Sequence, residues 1–117
     1  MPISSPYNFA LNGVLGALIG KVDNYNVSQL KELVGENTLI GCLIQKESSW
    51  NINAIGDSGK AIGILQFHQS TFDMFSKKYN LDLDIYNPLD QILLANLMLE
   101  ENIRNIIHWS VWKQCLK

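Results

Sequence analysis

Glu47 is the residue whose type and position first suggest chemistry. The apolar positions Leu39, Ile40, Leu43 and Ile44 recur at three- and four-residue steps, and Glu47 continues that stripe instead of the polar face. A carboxyl group is thereby aimed at the core near the end of a helix. Desolvation disfavours its charged form, and the negative end of the helix dipole acts in the same direction, so both raise its pKa. A carboxylic acid kept neutral near pH 7 can serve as a general acid. Periodicity alone leaves a second reading open, in which Glu47 turns to solvent or pairs with a lysine.

The residues after it narrow the choice. The stretch Glu47 to Phe67, ESSWNINAIGDSGKAIGILQF, resembles the catalytic segment of the lysozyme-like superfamily, in which a Glu followed by Ser closes a helix and a Gly-x-x-Gly-Leu-Met-Gln type stretch follows. The specific parts are Glu47-Ser48 and Gly63-Ile64-Leu65-Gln66, and the resemblance extends from Leu39 to Trp112. Soluble lytic transglycosylases and goose-type lysozymes are the most similar groups. The resemblance implies a mainly α, lysozyme-like fold with a small irregular loop or hairpin between helices, and a length of 117 residues gives one domain over residues 1–117. The resemblance also implies cleavage of the β-1,4 bond between N-acetylmuramic acid and N-acetylglucosamine in peptidoglycan. Glu47 takes the place of the acid/base, Ser48 contacts substrate or orients the acid, Gly63 and Ile64 bring backbone close to the sugar, and Gln66 lines the cleft. Glycine permits such an approach, and an amide can bond sugar hydroxyls and N-acetyl groups.

Asp57 bears on the type of reaction. An inverting hydrolase needs a second carboxylate to activate water, whereas a lytic transglycosylase lets the sugar's own 6-hydroxyl attack, leaving a 1,6-anhydro product. Gly56-Asp57-Ser58-Gly59 is similar to the goose-type segment that carries a second Asp, and soluble lytic transglycosylases usually have no acid there. Asp before Ser-Gly is equally an ordinary turn residue. A further acid of the goose-type pattern would fall at His68, and the Tyr-Asn-x-Gly segment common to both groups is missing. Tyr86, Trp109 and Trp112 are the aromatic candidates for supporting the cleft, and Tyr86 is taken as a substrate contact. The reading favoured is the lytic transglycosylase. The alternatives are a goose-type muramidase using Asp57, a chitin- or chitosan-cleaving enzyme, and a non-catalytic glycan-binding module.

Other chemistries lack their residues. There is no Gly-x-Ser-x-Gly elbow, no phosphate-cradling loop with a Gly-Lys-Ser/Thr ending, and His68 and His108 show no link to a nucleophilic Ser or Cys. Cys42 and Cys115 have no metal-ligand spacing, so no metal and no organic cofactor is expected. They are either a disulfide tethering the C-terminus to the Glu47 helix or two buried thiols. A net charge of −2, with nine scattered Lys and Arg, gives no basic stripe, so no nucleic-acid partner is expected. The expected partner is the peptidoglycan strand, met by a monomer without an integral membrane segment. Work on that substrate implies an extracytoplasmic or phage-associated location. The apolar run Phe9 to Ile19 is read as a structural helix and not a signal peptide, since no Lys or Arg precedes it and Asn12 interrupts it.

Five or six helices must position these residues. Beyond Phe9 to Ile19, the patterns predict a short helix capped by Ser28 and ending at Gly35, and the Glu47 helix from a Thr38 cap to about Ser49. A helix over Gln69 to Tyr79 is expected with Ser70 and Asp73 as its capping box. Asn87-Pro88 starts a nearly all-apolar helix running to about Asn102, as a buried central helix requires. The tail from Ile106 to Leu116 reads as an amphipathic segment with Ile107, Val111 and Cys115 on its inner face and Trp112 beside them.

Overall fold

A computed structural model describes residues 26–116, so the expected Phe9 to Ile19 helix lies outside the described residues. Helix α1 spans Val27–Val34, and Asn26, two residues earlier than expected, caps it. Asn26 Oδ1 accepts from the Gln29 N–H at 2.8 Å while Gln29 Oε1 accepts from the Asn26 N–H at 3.1 Å, a reciprocal capping box that Ser28 cannot provide from inside the first turn. Helix α2, Leu39–Ser48, starts at Thr38 as the sequence predicts, with Thr38 Oγ1 accepting from the Gly41 N–H at 3.1 Å. It buries Ile40, Leu43 and Ile44.

The Gly-rich stretch that follows folds as a small three-stranded antiparallel sheet, β1 Ile55–Gly56, β2 Ala61–Ile62 and β3 Phe67–His68, in that order. A 3-10 turn over Asp57–Gly59 joins β1 to β2. The register sets Gly56 opposite Ala61 and Ala61 opposite His68, while Ile55, Ile62 and Phe67 form the adjacent row. Directly opposed residues share a face. Phe67 is buried and meets Phe72 and Trp109 edge-on, with ring centroids 5.3 and 5.5 Å apart, so the Gly56–Ala61–His68 row takes the other face.

Helix α3, Gln69–Lys78, begins directly after β3 without any side-chain cap. The expected Ser70–Asp73 box is absent because the cap position is His68, two residues before Ser70, and Asp73 Oδ1 instead accepts from Gln69 Nε2 at 2.8 Å. Helix α4, Pro88–Glu101, starts as predicted, with Asn87 Oδ1 accepting from the N–H groups of Leu89 and Asp90. It is the core's central rod: Leu89, Ile92, Leu93, Leu94, Ala95, Met98 and Leu99 are all buried. The tail packs Val111, Trp112 and Cys115 against the core as read but departs from the sequence reading at Ile107. It divides into a 3-10 helix, Ile103–His108, and a short α5, Trp112–Cys115. With three residues per turn, Ile103, Ile106 and Trp109 fall on the inner face, and Ile107 is turned out, 64 % exposed. Cys42 of α2 and Cys115 of α5 form a disulfide, with Cα atoms 5.7 Å apart.

Candidate active site

Helix α2 ends where Ser49 and Trp50 both adopt left-handed backbone conformations, φ 51° and 65°. Trp50, 2 % exposed, is drawn into the core by that reversal. Glu47 is left in the last turn, half-buried at the edge of an open cavity of about 470 Å³ whose other walls are Asp57, Ala61, Gln66, His68, His108 and Ser110. Burial raises the Glu47 pKa above the ordinary value of 4.5. The cavity is therefore built from the last turn of α2, one face of the sheet, and the segment after α4.

The β2–β3 turn is fastened from behind. Gly63, φ 79°, takes a conformation that L side chains rarely adopt, and a Cβ there would collide with the Gln91 amide. Gln91, 1 % exposed on α4, accepts from the Leu65 N–H at 2.8 Å and donates to the carbonyls of Ile62 and Ile85 at 3.0 and 2.6 Å. Ser48 Oγ donates to the Ile64 carbonyl at 2.7 Å, which ties the turn to the end of the Glu47 helix. Trp109 Nε1 donates to the Leu65 carbonyl at 3.0 Å. Three separate elements thus hold Ile62, Ile64 and Leu65 around Gly63.

Gln66, at the end of this turn with φ 52°, uses both amide hydrogens internally: Nε2 donates to the Gly63 and Ala54 carbonyls at 2.9 and 3.1 Å. Its Oε1 lies 2.5 Å from the position a Cβ would take on Gly56, so only glycine there leaves room for the amide. On the opposite strand connection, Asp57 and Ser58 are again left-handed, φ 51° and 56°, and Asp57 Oδ2 lies 3.0 Å from His68 Nε2. Of the six non-glycine residues with positive φ among those described, five surround this cavity's framework between Ser49 and Gln66. Such backbone costs on the order of 1–3 kcal/mol per residue and gathers where geometry serves a site.

Of the residues singled out in the sequence, Glu47, Asp57 and Gln66 come together in one cavity. Ser48, Gly63 and Ile64 form the support under it, Ile64 being fully buried. Tyr86 is 70 % exposed on the loop before α4 and does not line the cavity. Trp109 is core, and its indole braces the turn from beneath. The sequence reading gave no site role to His68, His108, Ser110 or Gln91. His68 had a signal, standing two residues after Gln66; His108 and Ser110 reach the cavity only through the tertiary fold.

A glutamate closing a helix against a small antiparallel sheet, with a helical core behind the cavity, defines a lysozyme-like domain. A family model described as the transglycosylase SLT domain matches residues 25–114, and the chain belongs to that family of peptidoglycan-cleaving lytic transglycosylases. Comparison with curated proteins and with solved structures gives no match. No helix among the described residues is long and apolar enough to cross a membrane.

Proposed function

We propose that this chain is a lytic transglycosylase cleaving the β-1,4 bond between N-acetylmuramic acid and N-acetylglucosamine. The observation that carries the reading is a half-buried Glu47, its pKa raised by burial, facing a cavity large enough to admit a sugar. Its neutral carboxyl protonates the glycosidic oxygen as the bond to the anomeric carbon breaks. The carboxylate so formed accepts the proton of the 6-hydroxyl as that oxygen attacks the same carbon, so one group serves both steps. Gln66, with its amide hydrogens already used, offers Oε1 as an acceptor to a sugar hydroxyl or N-acetyl N–H. Ser48, Gly63 and Ile64 act by placing the turn that presents Gln66. The substrate places the protein outside the cytoplasm or with a phage, acting as a monomer.

Asp57 supports a second reading, hydrolysis in the goose-type manner, because it lines the same cavity as Glu47. Mass spectrometry of products from purified peptidoglycan separates the two. The transglycosylase gives mainly 1,6-anhydro ends, and Asp57→Asn lowers turnover only modestly. Products that are almost all reducing sugars, abolished by Asp57→Asn, would replace the first reading with the second. Binding without cleavage would leave a glycan-binding module.

A further inference from the structure

The proposed acid needs no second base, yet the cavity holds a polar pair that such a reaction does not use. Asp57 and His68 come from different parts of the sheet, the β1–β2 turn and the end of β3, and meet at 3.0 Å between Oδ2 and Nε2. Both line the Glu47 cavity. His68 precedes α3 at a position where a side chain often caps the helix, but it makes no such bond. The sheet register places it in one row with Ala61 and Gly56, and with Ala61 it lines the cavity. Asp57 is held in position by two successive left-handed residues. A surface ion pair would contribute little stability, because the side chains are 44 % and 62 % exposed. The backbone cost of presenting Asp57 thus has no evident return in folding.

We infer that His68, oriented by Asp57, is a proton acceptor for water, and that it gives this transglycosylase a hydrolytic branch. The inference rests on the assignment of Glu47 as the acid. When Nε2–H donates to the Asp57 carboxylate, the proton sits on Nε2 and the lone pair on Nδ1, the tautomer a general base requires. Glu47 protonates the leaving oxygen in either branch. In the hydrolytic one, water attacks the anomeric carbon in place of the 6-hydroxyl, its proton passes to Nδ1, and the imidazolium is balanced by Asp57. The product is a reducing sugar carrying one solvent oxygen. Glu47 regains its proton from solvent as His68 returns one.

The test is digestion of peptidoglycan by the full chain in heavy-oxygen water, reading the ratio of labelled reducing ends to 1,6-anhydro ends. A ratio within one digest does not depend on how much of a variant is folded. Wild type should yield a measurable labelled fraction, and His68→Gln and Asp57→Asn should each lower the ratio at least about tenfold, given the usual size of general-base effects. Absence of label in wild-type products, or an unchanged ratio in His68→Gln, overturns the inference. A ratio lowered by Asp57→Asn alone overturns it too, since Asp57 would then act on water directly. Glu47→Gln distinguishes the deeper failure: if that variant still forms anhydro ends at the wild-type rate, the acid assignment falls, and the hydrolytic branch with it.

Discussion

At the scale of single residues, Glu47 in its proposed role as the acid faces two requirements that pull against each other. It must reach substrate, and it must be desolvated enough to hold a proton. Its half-buried position in the last turn of α2 meets both. Glu47→Gln should preserve the fold and lower cleavage of peptidoglycan at least about a hundredfold; near-normal turnover by the purified variant would sink the assignment. The same burial has a cost in stability. Because the folded-state pKa is raised, the folded protein binds more protons than the unfolded chain between the ordinary value of 4.5 and the raised one. Stability from this group is therefore lost as pH rises through that window. Glu47→Gln removes the charge, so it should melt above wild type at pH 7, and the gap should close below about pH 4. A variant that melts lower at pH 7 than at pH 4, relative to wild type, would show that the native carboxylate is stabilised by a partner instead.

At the scale of elements, the β2–β3 turn depends on α4 more than on its own sheet. Each strand is only two residues long. Gln91 supplies what the short ladder lacks, pairing one N–H and two carbonyls of the neighbouring chain from inside the core. Gln91→Leu should cost about 2–4 kcal/mol, since it leaves buried backbone groups unpaired, and it should also weaken catalysis by loosening Gln66. Gly63→Ala should be destabilising as well, because its Cβ meets the Gln91 amide and its φ is 79°. Urea melts of the two single variants and the double variant check this: additive losses would mean that the two residues do not act through one contact. Element legibility followed the range of the signal. Thr38, Asn87 and Pro88 act within one turn, and their helices start where the sequence says. The caps read at Ser28 and Ser70 missed because Asn26, and β3 running straight into α3, compete for the same helix starts. In the tail, Val111, Trp112 and Cys115 pack against the core as read, and only Ile107 was misplaced, because a period of 3.6 was applied where the chain winds at 3.0. Gln91 was hidden in plain view, one of three buried polar residues, with Asp90 and Asn96, in a helix read as nearly all apolar.

For the molecule as a whole, the candidate site is assembled from three stretches: the end of α2, the sheet that follows it, and the distant segment after α4. The first two are contiguous in sequence, and the Glu47 to Gln66 half of the cavity was accordingly legible. The last wall, His108 and Ser110, was not, because nothing local marks where a chain returns. The return is fixed twice. Ile106 and Trp109 bury themselves against the core, with Trp109 bonded to Leu65, and beyond them the Cys42–Cys115 disulfide closes a loop of sequence separation 73. A cross-link of that span restricts the unfolded chain by ~4 kcal/mol in the chain-entropy account. Reduction should therefore lower the melting temperature by roughly 15 °C in a domain of this size. The cavity wall, however, is held by Trp109 and Ile106, upstream of the cross-link. Reduced protein assayed well below its melting point should accordingly cleave peptidoglycan at close to the oxidised rate. Activity that disappears on reduction at a temperature where circular dichroism still reports a folded protein would show that the disulfide, and not the indole anchor, sets the position of the wall.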